Sequence, residues 1–158
     1  MTDTATDSTL ARNRRARHDY EILDTFTAGL VLSGTEVKSV RAGKAQIADG
    51  FIRVERGEAW LYNTHIAEYE QGNRMNHEPG QKRKLLLSKR EIRSLESKLR
   101  IDRLTAVPLA LFLDRGWVKC SLGVGRGKRK WDKRNDIAAR DAKRDVDREV
   151  ARALRDQG

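Results

Sequence analysis

The sequence of 158 residues has little cysteine, few aromatic residues and no long apolar run. Its single cysteine, Cys120, excludes an internal disulfide and a cysteine cluster for zinc. The longest apolar run, residues 106–113, is far shorter than the ~20 residues that a membrane-spanning helix needs. Residues 1–10 are polar and lack the apolar core of a secretory signal. We therefore expect a cytoplasmic protein without a membrane partner.

Positive charge, in contrast, is abundant. The chain has 33 Lys and Arg against 23 Asp and Glu, which gives a net charge of +10. Its hydrophobic fraction of 38% lies below the ~45–50% of a typical globular chain, so part of the chain should remain outside the core. A charge of this size favours an anionic partner, of which nucleic acid is the commonest.

Composition divides the chain into three regions. Residues 1–11 are rich in Thr, Asp and Ser and should be disordered, whereas residues 12–125 should form one domain. The tail, residues 126–158, holds 12 basic and 7 acidic residues, a net charge of +5. Its apolar residues recur every four positions in a narrow stripe. We expect the tail to be disordered in the free protein and helical on a partner surface.

The middle region is typical of a mainly β fold. Ser88 and Glu91 form a capping box that begins a helix, and residues 36–41 predict a second, shorter helix. Pro108 lacks an N–H donor, so its strand is an edge at that point or contains a bulge. Alternating or continuous apolar residues predict strands over 20–26, 29–32, 51–54, 59–62, 104–113 and 117–124. About six such strands fit a closed or nearly closed antiparallel barrel.

Turn and loop residues separate these strands. Residues 55–58 predict a four-residue hairpin turn, and residues 114–116 predict a tight turn. Residues 70–81 contain Gly, Asn and Pro and predict a long loop.

A catalytic or metal site is not apparent in the sequence. The glycine-rich residues 123–128 differ from a phosphate-binding P-loop in spacing, and Arg129 stands where that loop needs Ser or Thr. We interpret these glycines as the end of a strand, where a basic linker can approach RNA closely. Cys120 should be a passive, partly buried thiol. No acid, base and nucleophile come together, so we expect neither an enzyme nor a cofactor.

The basic stretches alternate with aromatic residues, which is typical of RNA-binding surfaces. The arginine-rich residues 12–17 lead into His18 and Tyr20, and residues 128–130 lead into Trp131. An exposed aromatic ring can stack on an unpaired base, a contact worth ~1–3 kcal/mol. Trp131 could instead fold back onto the barrel, and both interpretations stay open at this point.

Five stretches together resemble the SsrA-binding protein (small protein B, SmpB) family of bacteria. They occur in the family's order and extend over nearly the whole chain after residue 10. The stretches are 13–20 (NRRARHDY), 34–45 (GTEVKSVRAGKA), 83–87 (RKLLL), 123–130 (GVGRGKRK) and 132–134 (DKR).

This resemblance implies an RNA-binding adaptor of trans-translation. Members of the family bind the tRNA-like domain of transfer-messenger RNA (tmRNA) through an oligonucleotide-binding-like (OB-type) barrel and deliver it to stalled ribosomes. Their tail enters the small-subunit decoding centre and message channel, where it folds as a helix. The protein does no chemistry and needs no cofactor; it works in functional association with elongation factor Tu and alanyl-tRNA synthetase.

The resemblance also implies roles for particular residues. Thr27 stands where the family often has an acidic residue, and Trp131 where it often has His or Tyr. Together with the basic arm, the expected RNA-binding residues are Asn13, Arg14, Arg17, His18, Tyr20, Thr27, Leu86, Lys119, Arg126, Lys128 and Arg129. The expected decoding-centre contacts are Trp131, Asp132, Lys133 and Arg134.

Two other classes of protein remain as alternatives at this point. An RNA-processing enzyme with a basic barrel would turn over RNA, although the sequence lacks a catalytic constellation. A constitutive ribosomal structural protein would stay on all ribosomes, whereas an adaptor would join only stalled ones.

Overall fold

The computed structural model describes residues 9–128. Two sets of predictions lie outside the described residues. They are the disorder expected of residues 1–8 and everything expected of the tail from Arg129 onward, which includes residues 131–134. The strands are β1 Thr9–Arg12, β2 Tyr20–Leu30, β3 Ala45–Gln46, β4 Phe51–Glu55, β5 Glu58–Tyr62, β6 His65–Ile66, β7 Arg83–Leu86, β8 Thr105–Asp114 and β9 Trp117–Gly127. The α-helices are α1 Ala16–Asp19, α2 Gly34–Arg41 and α3 Lys89–Arg100, and Glu70–Met75 form a 3₁₀ helix.

The main sheet is antiparallel and closes on itself. Its seven strands run in the order β1-β8-β4-β5-β7-β2-β9, and β8 also pairs with β9. Strand β8 therefore links both ends of a six-strand ring, while β1 pairs with β8 alone. The joint between β4 and β8 consists of the single pair Ile52 and Ala106, and α3 packs against both strands there. The predicted antiparallel barrel is confirmed as a barrel-like sheet.

The core lies inside this ring. Alternate residues of each strand point inward, and Leu61, Leu85, Leu111 and Leu122 are all buried. Helix α3 adds Ile92 and Leu95 to the same cluster. Burial of each such side chain stabilises the fold by ~1.5–3 kcal/mol, which makes this cluster the main source of stability.

The capping box at Ser88 and the bulge at Pro108 both follow from local sequence. The Ser88 Oγ accepts a hydrogen bond from the Glu91 N–H at 3.2 Å, and Glu91 Oε1 accepts one from the Ser88 N–H at 3.0 Å. The predicted capping box is therefore confirmed. The register between β8 and β9 shifts between Pro108 and Ala110, so the predicted bulge is also confirmed.

Two boundaries differ from the sequence-based expectation. Thr9 and Ala11 pair with β8, so the prediction of disorder up to residue 11 is wrong for residues 9–11. Leu10 and Ala11 pack against the core, and that burial stabilises the added strand. Strand β9 continues to Gly127, and the Lys128 N–H donates to the Asp19 carbonyl oxygen at 2.9 Å. The ordered sheet therefore extends past the predicted boundary at residue 125.

The predicted turns and the predicted loop are also tighter in the structure. Glu55 and Glu58 pair within the hairpin, which leaves only Arg56 and Gly57 as turn residues. Both have positive φ, 53° and 77°, as a two-residue hairpin turn that matches strand twist requires. The expected loop over 70–81 contains the 3₁₀ helix.

Candidate RNA-binding surface

The paired strands β2 and β9 form a long ribbon on which several predicted RNA-binding residues lie. Their register runs from the pair Tyr20 and Gly127 at one end to the pair Gly29 and Lys119 at the other. The buried residues Ala28 and Cys120 face the core, so strand alternation places their neighbours Gly29 and Lys119 on the outer face.

One row of residues crosses three strands on this outer face. Leu86 of β7 pairs with Gly29, and Gly29 pairs with Lys119. Because Gly29 has no side chain, Leu86 and Lys119 face one another across it, with their backbones ~10 Å apart at ordinary strand spacing. Leu86 is 54% exposed, which is unusual for a leucine in a strand of the main sheet. Thr27, paired with Ser121, lies exposed on the next row of the same face.

Lys119 also interacts with a neighbouring carboxylate. Its Nζ lies 3.0 Å from Asp114 Oδ2, and both side chains are partly exposed. Pairs of this kind contribute ~0–1 kcal/mol, so an anionic ligand can displace Asp114 at small cost. The row thus presents one apolar and one cationic group to solvent.

The basic arm lies at the opposite end of the ribbon. Helix α1 enters β2 beside the last residues of β9, and Arg14, Arg17 and His18 are exposed there. Arg126 pairs with Glu21 at 3.7 Å, a weak and exposed contact. Gly127 lies eight positions after Lys119 on β9, a distance of ~26 Å along the strand. The predicted residues therefore form two groups rather than one.

Among the predicted RNA-binding residues that lie within 9–128, Asn13 alone is buried. It is 8% exposed, and its Nδ2 donates to the Pro108 carbonyl oxygen at 2.8 Å. Its Oδ1 accepts a hydrogen bond from the Arg15 N–H at 3.2 Å, and its own N–H donates to the Leu109 carbonyl oxygen at 2.8 Å. The side chain thus joins the arginine-rich arm to the bulge in β8.

The glycines near the end of β9 pack closely against β2. A Cβ at Gly125 would collide with the carbonyl oxygen of Glu21, and one at Gly123 would lie 3.0 Å from a methyl carbon of Ile22. Both glycines are buried inside the strand. The interpretation that these glycines end the strand is therefore wrong for Gly123 and Gly125, whereas Gly127 is the last residue of β9 and is exposed. Glycine is needed at 125 because the backbones of β2 and β9 are too close there for any side chain, and at 123 because the Ile22 and Leu109 side chains fill the space.

A buried ion pair that sequence reasoning missed anchors β7 to α2. Arg83 Nε donates to Glu36 Oε2 at 2.7 Å, and the two side chains are 1% and 2% exposed. The other guanidinium N–H groups donate to the Thr64 hydroxyl and carbonyl and to the carbonyls of Glu78 and Pro79, at 3.0–3.3 Å. All five donors of the guanidinium are used. The sequence contained one signal for the burial of Arg83. Side chains alternate along a strand, so Arg83 points inward when Leu86, three positions later, faces outward.

The Glu36 carboxylate is held in its charged form by this network. Burial alone would raise its pKa, but hydrogen bonds from the Ser33 N–H, Gln81 and Arg83, together with the charge of Arg83, lower the pKa below its ordinary value. Its Oε1 also completes a second capping box at Ser33, which begins α2. One carboxylate therefore stabilises both a helix terminus and the strand that presents Leu86.

A second surface missed from the sequence combines aromatic rings with cations on β4, β5 and the segment before β7. Phe51 and Tyr62 stack with ring centroids 5.4 Å apart, and the Arg53 guanidinium lies over both rings. Tyr62 Oη donates to Glu55, and this hydrogen bond lowers the pKa of that carboxyl group. Lys82 Nζ lies 4.4 Å from the Trp60 ring centroid. These cations are already packed against rings within the protein.

The structure also bears on the remaining site predictions. Cys120 is fully buried, so the prediction of partial burial is wrong, and burial raises its pKa to about 12, which supports a passive thiol. Within residues 9–128, no three His, Cys, Asp or Glu side chains are arranged to hold a metal ion. Over the same residues, no helix is both long and apolar enough to cross a membrane.

A barrel-like antiparallel sheet with basic and apolar groups on its outer face is the architecture of small nucleic-acid-binding β-barrel proteins. Comparison with known families narrows this class. The family model "SmpB protein" matches residues 10–152. The chain belongs to the SmpB family.

Individual relatives agree with this assignment over nearly their whole length. The SsrA-binding protein of Desulforamulus reducens is 57% identical over 141 residues, which are 89% of this chain and 88% of the relative. That of Thermobifida fusca is 54% identical over 144 residues, 91% and 90% of the two chains. A chain from the solved structure "tmRNA-SmpB: a journey to the center of the bacterial ribosome" is 50% identical, with a TM-score of 0.64, and the match spans 80% of this chain and 92% of that one.

Proposed function

We propose that this protein is an RNA-binding adaptor of trans-translation. It binds the tRNA-like domain of tmRNA and delivers this RNA to stalled ribosomes. Family membership and the similarity to a chain described with tmRNA and the bacterial ribosome support the proposal. The single observation that carries it within this chain is the row of Leu86, Gly29 and Lys119 on the outer face of the sheet.

The row suits a folded RNA because it combines two kinds of contact. The Lys119 ammonium can neutralise a phosphate and release a counterion, whereas Leu86 can pack on a sugar or a base. Thr27, one row away, offers a hydroxyl that can donate or accept a hydrogen bond. Gly29 places no side chain between Leu86 and Lys119, so an RNA strand can contact both groups.

The basic arm forms the second contact of the proposed interface. It supplies charge and aromatic surface for the RNA backbone. Its residues are Arg14, Arg17, His18, Tyr20, Arg126, Lys128 and Arg129. Phosphate contacts fix position and orientation without reading sequence. Two contact regions ~26 Å apart along β9 would define the orientation of one folded RNA on the barrel.

Asn13 has a positioning part in this proposal. Because both groups of its amide are hydrogen-bonded within the protein, Asn13 holds the arm against the bulge in β8. Its replacement would then weaken RNA binding through displacement of Arg14 and Arg17.

We further propose a division of labour between two parts of the chain. Residues 9–128 bind the RNA as one domain, together with Arg129 at the start of the tail, and residues 130–158 act on the ribosome. Trp131, Asp132, Lys133 and Arg134 contact the small-subunit decoding centre in this proposal. The chain itself performs no catalysis, works in the cytoplasm and depends on elongation factor Tu and alanyl-tRNA synthetase for later steps.

The barrel part of the proposal is tested by RNA affinity at several salt concentrations. Lys119→Ala should weaken binding to the tRNA-like domain and reduce the slope of log affinity against log salt by ~0.7–0.9, one phosphate contact. Leu86→Asp should weaken binding through lost apolar contact and added repulsion. Lys98→Ala is the matched control, since Lys98 is also partly exposed and paired with a carboxylate, Asp24, at 3.6 Å. Equal affinities for all three variants and the parent would refute the RNA-binding face.

The tail part of the proposal needs a paired measurement. Replacement of Trp131, Lys133 and Arg134 by Ala should leave RNA affinity nearly intact and abolish peptide tagging in a reconstituted system with a stop-less message. A parallel loss of both activities would place these residues in the barrel's own RNA site. RNA turnover by the purified protein, or equal occupancy of stalled and translating ribosomes, would favour the enzyme or the ribosomal-protein alternative.

A further inference from the structure

The row of Leu86, Gly29 and Lys119 forms part of the lining of an apolar groove. The groove has a volume of about 540 Å³, within the ~300–1,000 Å³ range of small-ligand sites. Its walls come from the end of β2 and the residues after it, from Val37 of α2, and from the β8–β9 hairpin. The groove is therefore continuous with the surface proposed to bind RNA.

The most unusual feature of this groove is its exposed apolar surface. Trp117, Leu86 and Val31 are 74%, 54% and 47% exposed. Trp117 is the first residue of β9 and pairs with Asp114 across the turn of Arg115 and Gly116. Those two turn residues have φ of 54° and 84°, so the tight hairpin fixes the backbone from which the indole projects. Three large apolar side chains beside one groove are typical of an interaction site.

We propose that this groove receives an unpaired base of the bound RNA, which stacks on the Trp117 indole. This inference rests on the proposed function and deepens it, since it names a contact within the same interface. A base has a flat apolar face that fits an indole, and its own phosphate needs a cation nearby. Lys119, two residues from Trp117 on the same outer face, borders the groove.

The chemistry of the groove also specifies the kind of RNA element. Bases in a helix are already stacked on their neighbours, whereas bases in loops can be splayed out onto aromatic side chains. The groove is concave, which suits a base turned out of its stack. The ligand is therefore a nucleotide from a loop or bulge of a folded RNA, and paired stems are excluded.

The first test compares the affinities of substituted full-length proteins for the tRNA-like domain of tmRNA. One stacked base contributes ~1–3 kcal/mol, so Trp117→Ala should weaken binding ~5- to 150-fold. Trp117→Phe keeps an aromatic face and should recover most of the affinity. Ile101→Ala is the matched control, because Ile101 is another large apolar residue, 72% exposed, that does not line this groove.

The second test measures access to Trp117 directly. In a full-length chain with Trp60→Phe and Trp131→Phe, Trp117 is the only remaining tryptophan. The tRNA-like domain should shield its fluorescence from acrylamide quenching, and a fully paired RNA duplex of equal length should not. Shielding by both RNAs, or by neither, would overturn the groove inference.

The outcomes separate this inference from the proposed function. If Lys119→Ala weakens binding and Trp117→Ala does not, the groove inference fails while the RNA-binding face stands. If the parent protein does not prefer the tRNA-like domain over the duplex, the proposed function fails. If removal of residues 129–158 exposes Trp117 in the free protein, the tail occupies the groove and the inference is overturned.

Discussion

Replacement of Arg83 by Met tests how the fold supports the RNA-binding face. Arg83 is 1% exposed and lies on β7, three residues before Leu86. The substitution removes a guanidinium whose five donors are all used, but it keeps an unbranched apolar side chain in the same space. It leaves Glu36 as a buried charge without its cation, and it removes the hydrogen bonds that the guanidinium donates to the Thr64 hydroxyl and to three backbone carbonyls.

The expected loss follows from the burial of both partners. Removal of one partner of a buried ion pair costs ~3–5 kcal/mol, because the other charge stays desolvated. The free energy of unfolding of a domain is ~5–15 kcal/mol, so Arg83→Met should remove a large share of it. Lys84→Met is the control: Lys84 is the next residue, points outward and pairs with Glu58 at 2.7 Å in solvent, where such pairs contribute ~0–1 kcal/mol.

Urea unfolding followed by circular dichroism measures these differences. Arg83→Met should lower the midpoint strongly, and Lys84→Met should barely move it. The double variant with Glu36→Gln should lose less than the sum of the single variants, since the unpaired charge is gone. A cost for Arg83→Met within 1 kcal/mol of that for Lys84→Met, or full additivity in the double variant, would refute the reasoning.

Three further predictions concern stability and reactivity. Gly125→Ala should destabilise the fold strongly in urea unfolding because its Cβ would meet the Glu21 carbonyl oxygen, whereas Gly80→Ala, with open space around the Cβ, should not; equal midpoints would contradict the close approach. Cys120 should resist thiol reagents at pH 8 until urea unfolds the protein, since its pKa is about 12 and it is buried; rapid labelling of the native protein would contradict this. The folded-state pKa of Glu36 is lowered, so its stabilising contribution is complete above the ordinary value of ~4.3 and is lost as pH falls below it. Urea midpoints between pH 6 and pH 3 should therefore fall less steeply for Glu36→Gln than for the parent, and identical slopes would disprove the assignment.

Features that depend on near neighbours could be read from the sequence. The capping box of Ser88 and Glu91 needs only two residues three positions apart. The bulge at Pro108 follows from a missing N–H, and the basic character of the chain follows from composition. The barrel-like sheet was also predictable, because short alternating strands with tight turns permit few other arrangements.

Tertiary structure decided the features that depend on distant pairs. Arg83 and Glu36 are 47 positions apart, and Asn13 and Pro108 are 95 apart, so no local pattern reveals that these side chains meet. The register of the strands placed Leu86 opposite Lys119 across Gly29, and the closeness of two backbones required glycine at 125. The physical reason is that capping and turn energies arise within a few residues of chain. Register, burial and ion pairing arise only when the whole sheet closes.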